Sequence, residues 1–221
     1  MTIEPMTLKL AKLVTGHRSG LGKPSKMPGP STSLPAQACN VGAKLAKIEG
    51  SVCHRCYALR GHYTAPSVKQ GLARRLAALS HPRWVEGMTY LIERATGGRG
   101  WFRWFDSGDI QSPEHLRNIA EVARNVPDVD MWLPSKESTV VRQVMAEMGD
   151  DWPPNLTVRL SAPMVGGAPP RAWKGLLTST VDAVNPPEGT VRCEAKARGN
   201  FCGPCRACWD PNVANVDYPA H

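Results

Sequence analysis

The chain has no apolar run approaching the roughly 18 residues that a membrane-crossing helix needs. Its N-terminus, Met1-Thr2-Ile3-Glu4-Pro5, lacks the charged and apolar regions of a secretory signal. A cytoplasmic protein with no membrane partner is therefore expected, in a compartment where thiols stay reduced. Cysteine is absent from the middle of the chain: all seven fall in two groups, Cys39, Cys53 and Cys56, then Cys193, Cys202, Cys205 and Cys208, with about 135 residues between them. An odd count and C-x2-C pairs argue against structural disulfides and for ligation of a metal or an iron–sulfur cluster. Acidic residues are scarce at the start. Residues 1–75 carry 12 Lys and Arg against 2 Glu, and the remainder 15 basic against 17 acidic, so the net charge of +8 belongs to the N-terminal third. Internal repeats and low-complexity tracts are also missing.

What remains fits one domain with a real core: 221 residues, 42% of them apolar. Residues 14–38, rich in Gly, Pro, Ser and Lys, read as loop. A basic, loop-rich arm (1–38) followed by a single α/β domain (39–221) is the expected organisation, its C-terminal four-cysteine motif spanning 193–208. Such an arm suits a phosphate backbone, and Tyr57, His62 and Tyr63 stand among Arg55, Arg60 and Lys69 as stacking partners, so nucleic acid is the expected partner class. Helical spacing begins at Pro66-Ser67 with Val68, Leu72, Leu76 and Leu79, and returns around Trp84, Met88, Leu91 and Ile92.

From Trp101 the chain alternates strand and helix. Trp101–Phe105 reads as a buried strand; Ser112 is a good N-cap with Pro113 behind it; Leu116, Ile119, Ala120 and Ala123 mark a helix face. A strand at Val129–Leu133 and a helix striped by Val140, Val141, Val144 and Met148 follow. A third strand spans Leu156–Leu160, and shorter strands fall near 176–184 and 190–193. This order predicts an α/β fold, a partial β/α barrel or short parallel sheet of five or six strands covered by helices, with cysteine-rich metal-binding segments at both ends.

In parallel α/β folds the loops leaving the C-terminal strand ends collect on one rim and build the site. Here they carry Asp106, Ser107, Gly108 and Asp109, then Ser135 and Lys136, then Ser161. Asp106 and Asp109 offer carboxylates for binding an amino group, activating a nucleophile or attacking directly. Lys136 offers a cation for phosphate or carboxylate, and Gly108 a backbone that a ligand can approach. The plainer reading of Asp and Gly here is turn formation.

Three thiolates spaced C-x13-C-x2-C suffice for three irons of a [4Fe–4S] cluster with one position open, or for a zinc closed by His54 or His62. The C-x8-C-x2-C-x2-C set supplies four thiolates, enough to close a zinc site or a cluster alone. His221 is a further candidate ligand.

The chain resembles the mycobacteriophage family called gene product 88. The likeness rests on Cys53-His54-Arg55-Cys56-Tyr57, on an Arg/Trp-rich strand ending in Ser107-Gly108-Asp109, on Trp132-Leu133-Pro134-Ser135-Lys136, and on Cys202 to Trp209. More remotely, three cysteines joined to a partial barrel are similar to the radical S-adenosylmethionine enzymes. That resemblance implies Cys39, Cys53 and Cys56 as [4Fe–4S] ligands and Ser107, Gly108 and Asp109 at the cofactor's amino group, with Tyr57 and Ser161 among the cofactor-binding residues. The chain departs from that family in its first spacing, in Arg55 between the last two cysteines, and in Asp where Glu is usual. Asp106-Ser107-Gly108-Asp109-Ile110-Gln111 also resembles a stretch of the guanine transglycosylases, which implies base exchange on DNA or RNA. Asp106 then acts on the base, and Cys202, Cys205 and Cys208 hold zinc with Cys193 or His221. A zinc-stabilised binding module without catalysis, gripping nucleic acid or a host protein, is the expectation from a different class.

Overall fold

A computed structural model describes residues 4–220; His221, a candidate ligand by sequence, lies outside the described residues. Six parallel strands form one sheet: β1 (Gly100–Arg103), β2 (Val129–Ser135), β3 (Leu156–Ser161), β4 (Thr178–Val181), β5 (Thr190–Arg192) and β6 (Asn215–Tyr218). Their spatial order is β1-β2-β3-β4-β6-β5, and the sheet curls into a half-barrel.

The helices are α1 (Leu8–Val14), α2 (Asn40–Leu45), α3 (Pro66–Ala78), α4 (Trp84–Thr96), α5 (Pro113–Asn125) and α6 (Ser138–Met148). None is long and apolar enough to cross a membrane. Period-two burial on the strands meets period-3.6 burial on the helices along one face of the sheet. Phe102, Trp104, Met131, Leu133, Leu156, Val158 and Leu160 pack against Met88 and Ile92 of α4, Leu116 and Ile119 of α5, and Val141 and Val144 of α6. Helix α5 begins as its sequence dictates, the Ser112 hydroxyl accepting from the His115 N–H at 3.1 Å with Pro113 in the first turn.

The N-terminal residues belong to this same body. Helix α1 lies so close to α4 that a Cβ on Gly87 would come within 2.5 Å of Val14 Cγ2. The expected loop over 14–38 holds a structural segment: Ser31 to Leu34 are buried and run beside the outer edge of β1. The Thr32 N–H donates to Arg103 O (3.1 Å), the Asp106 N–H to Thr32 O (3.0 Å) and the Leu34 N–H to Ser107 O (2.8 Å). Trp104 and Phe105 are buried beyond the end of β1: the Trp104 N–H still donates to Trp132 O at 2.9 Å before the Asp106 N–H turns to Thr32 O. The pairing with Thr32 and Leu34 also covers an edge that would otherwise expose unpaired backbone groups.

Candidate functional site

The strand-end turn Ser107-Gly108-Asp109 is committed to the protein itself. The Ser107 hydroxyl donates to Leu34 O at 2.8 Å. Gly108 has φ +86°, and a Cβ there would sit 2.6 Å from Leu34 Cβ, so glycine is needed for close approach of the Pro30–Leu34 segment. The two oxygens of buried Asp109 accept from the Ile110 N–H (2.8 Å), the Ser135 hydroxyl (2.6 Å) and the Lys136 N–H (2.8 Å). Burial pushes its pKa up to about 6 against the pull of those bonds. Asp109 therefore ties the loop after β1 to the loop after β2, a positioning duty.

That second loop seats the first cysteine. Buried Glu137, which the sequence reading passed over, accepts from the Val41 N–H at 2.8 Å and so fastens the start of α2, where Cys39 stands, to the end of β2. The only signal for it was an acid two residues beyond a strand end. Cys53 and Cys56 arrive on a loop clamped to the end of β3: the Val52 N–H donates to Pro163 O (2.9 Å) and the Val165 N–H to Gly50 O (3.0 Å).

These attachments gather Cys39, Cys53 and Cys56 beside Asp109 and Lys136. A Cβ on Gly42 would stand 3.0 Å from Cys39 Cβ and 3.6 Å from both Cys39 Sγ and Cys53 Sγ, so glycine lets α2 start tight against Cys39 with both thiols beside it. Burial, then the charges of Asp109, Cys53, Cys56 and Glu137, push the Cys39 thiol up to about 12. Burial raises Cys53 as well, against the opposing pull of Lys136. The Lys136 ammonium donates to Ala162 O at 3.2 Å; burial lowers its pKa while the three thiols and Asp109 raise it. It is the cation facing the cysteines.

Asp106 stands on the outer side of the same rim. Its carboxylate accepts from the Ser31 hydroxyl and lies 3.4 Å from Arg103 Nη1, and its backbone carbonyl accepts from the Tyr57 hydroxyl. Tyr57, next to Cys56, keeps its ring half-exposed. Ser161 ends β3 and accepts from Ser179 of β4 at 3.1 Å. His54 is exposed, its Nδ1 3.3 Å from Ala46 O.

The C-terminal cysteines fill the other, concave face. Cys193, Cys202, Cys205 and Cys208 line one pocket together with Val191, Trp209 and Val216. Their loop is held from β3, whose Thr157 and Arg159 point away from the helices. Arg159 is fully buried and donates to four carbonyls of the loop: Ala207 (2.8 Å), Cys208 (3.0 Å), Asp210 (2.6 Å) and Val213 (2.7 Å). Thr157 donates to Trp209 O (2.8 Å), and the Trp209 indole to Phe102 O (2.9 Å). Burial pushes the Cys208 thiol up to about 11 while the Tyr218 hydroxyl, 3.1 Å from its sulfur, pulls it down.

The structure thus collects the cysteines into two sets on one sheet. Among the described residues, no three His, Cys, Asp or Glu side chains stand close enough to hold an ion as they are; metal-binding segments, as the sequence led us to expect them, are not shown.

A family model described as Gene product 88 matches residues 7–211, and the chain belongs to that family. No curated protein and no solved structure matches it.

Proposed function

We propose that this member of the gene product 88 family is an iron–sulfur enzyme of the radical S-adenosylmethionine type, acting on a nucleotide or nucleic acid. The observation that carries the reading is the meeting of Cys39, Cys53 and Cys56 with Lys136 on the C-terminal rim of a parallel half-barrel. The order of parts supports it. The buried Pro30–Leu34 segment runs parallel to β1 and leads directly to Cys39, so the cysteine loop follows one extended segment and the Ser107-Gly108-Asp109 turn the next.

The kinds of donor suit such a group, although among the described residues no three of them stand close enough to hold an ion as they are. Three soft donors on one rim favour iron–sulfur or zinc over hard cations, and two of them, Cys39 and Cys53, flank the same point beside Gly42. When bound, a cluster with one open iron supplies the electron for reductive cleavage of S-adenosylmethionine. The chain's own residues do the rest. Cys39, Cys53 and Cys56 are the ligands; Lys136 offsets their negative charge when they are thiolates. Asp109 and Glu137 hold the loops that present Lys136 and Cys39. Asp106 and Tyr57 face the side from which a substrate arrives. Their mutual contacts fix the Tyr57 ring beside Cys56. The four C-terminal cysteines form a second centre, structural zinc or a complete cluster, because they already share one pocket.

Anaerobic purification with iron, sulfide and zinc analysis tests the proposal. About four irons per rim cluster are expected, lost in the double variant Cys53→Ala/Cys56→Ala, together with reductive cleavage of S-adenosylmethionine. A colourless, iron-free protein with zinc at full occupancy overturns it.

A further inference from the structure

Most arginines resolved in ion pairs here are conventional: Arg83 pairs with Glu86, Arg117 with Glu147, Arg124 with Glu121, and Arg192 with Asp182 and Asp217. Fully buried Arg159 has its carbonyls. Three arginines beside the rim are different. Arg74 and Arg75 project from α3 and Arg103 from the end of β1, and the Nε of each is buried without a partner among the described residues. Arg75 makes one long bond, 3.4 Å to Ser33 O; Arg103 lies 3.4 Å from Asp106, with its guanidinium 4.7 Å over the Trp132 ring and Nη1 3.9 Å from Met27 Sδ.

Arg75 and Arg103 converge on one place: Arg75 reaches Ser33 O, Arg103 lies 3.4 Å from the Asp106 carboxylate, and Asp106 accepts from the Ser31 hydroxyl and, through its carbonyl, from the Tyr57 hydroxyl. Arg74 adjoins Arg75 on α3. Among the described residues Asp106 is the one carboxylate in these contacts, against the guanidinium ions of Arg75 and Arg103 with Arg74 adjoining. Partly buried cations held together without matching acids cost free energy, because each loses water and repels its neighbour. An anion restores the balance, and planar N–H forks with unused donors match the oxygens of a phosphate. Beside them the half-exposed Tyr57 ring meets Tyr63 edge-on, centroids 5.8 Å apart at 61°, leaving an aromatic surface for a base to stack on.

We propose that Arg74, Arg75 and Arg103, with Tyr57 and Tyr63, form a binding site for the phosphate and base of a nucleotide unit, free or within a single strand. This names the substrate class of the reading above and rests on it only for the neighbouring cysteines' role. The basic residues Arg55, Arg60 and Lys69, which the sequence alone favours, are the more exposed.

Calorimetric titration of the full-length protein with a nucleoside 5′-monophosphate, the matching nucleoside, inorganic phosphate and a short single-stranded oligonucleotide tests it. The monophosphate or the oligonucleotide is expected to bind at least tenfold more tightly than the nucleoside. Arg75→Gln and Arg74→Gln are each expected to weaken that binding by tenfold or more, and Arg75→Lys to recover part of it. Binding of the oligonucleotide alone identifies a polymer as the source of the phosphate; binding of the monophosphate identifies the free nucleotide as sufficient. Equal affinity for nucleoside and monophosphate with no oligonucleotide binding, or an unchanged affinity in a folded Arg75→Gln protein, overturns the proposal. Iron is measured on the same preparations. Phosphate-dependent binding by iron-free protein keeps this inference and sinks the cluster; iron without such binding does the reverse.

Discussion

Replacing Arg159 with methionine removes the one charged side chain that is fully buried in the sheet and leaves its acceptors behind. Two effects oppose. Relieving a buried guanidinium of its desolvation is favourable, which is why exchanging a whole buried ion pair for apolar residues is often neutral or stabilising. Here the partners are four backbone carbonyls at 2.6–3.0 Å, and they cannot be exchanged along with the arginine. The Asp210 carbonyl keeps a bond from the Val213 N–H at 3.2 Å; each of the other three, once orphaned, costs about 1–3 kcal/mol, so even the lower figure summed over three gives about 3 kcal/mol, within the roughly 3–5 kcal/mol seen when one partner of a buried charged group is deleted. Against a total stability of about 5–15 kcal/mol that is a large fraction. Urea unfolding followed by circular dichroism should show the loss, and alkylation resolved by residue should show Cys208 becoming reactive as its loop lifts from the sheet. Lysine should recover only part, since one ammonium cannot reach four carbonyls spread along the loop. A methionine variant within about 1 kcal/mol of wild type, with Cys208 equally protected, would refute the reasoning.

Two further outcomes follow from buried groups. His17 and His115 are held neutral, their pKa values pushed down by burial from 6.5 to about 3 and about 4; the unfolded chain binds more protons than the folded one below pH 6.5, so stability is lost as pH falls through that window. By pH 5 each histidine withdraws about 2 kcal/mol, while Asp109, whose raised pKa works in the opposite sense, returns about 1 kcal/mol; thermal melts at pH 7.5 and 5 should show a lower Tm in acid, and an equal Tm would contradict it. Gly108→Ala combines a positive φ with a Cβ 2.6 Å from Leu34 Cβ, so a loss of about 2 kcal/mol or more is expected in urea unfolding, with no loss counting against the close approach of the two segments.

The sheet's first half was legible because its strands and helices bury apolar side chains at two distinct periods. Val129, Met131 and Leu133 share one face of β2, with Asp130 and Trp132 on the other, and Leu116, Ile119, Ala120 and Ala123 repeat at helical spacing. Strand β6 escaped notice for a physical reason. Its buried Asn215 and Asp217 bond to Thr178, Thr180 and Thr190, so one face of the strand is a hydrogen-bond network with no apolar signal. Pro30–Leu34 was hidden likewise: a Ser-Thr-Ser run flanked by prolines reads as loop, and only its distant partners make it part of the sheet. At the site, residue types were readable and their duties were not. Nothing local tells that the Asp109 oxygens face Ser135 and Lys136, or that Gly108 makes room for Leu34 and not for a ligand. The cysteine groups were visible as groups, whereas Glu137, Arg74, Arg75 and Arg159 take their significance from neighbours far along the chain.

The attachment of Leu34 to Ser107 spans 73 positions, and it bears on how the molecule assembles. Closing a loop of that size costs on the order of 4 kcal/mol in chain entropy before any contact is gained. Cys39, Cys53 and Cys56 precede the strands in the chain and have no seat until β1, β2 and the end of β3 exist to receive their loops. The concave face in turn waits for residues 207–213, which take up most of the donors of Arg159. Each cysteine set is thus seated by segments far from it in sequence, and a variant lacking residues 207–213 would leave Arg159 with the Thr178 carbonyl alone, at 3.5 Å.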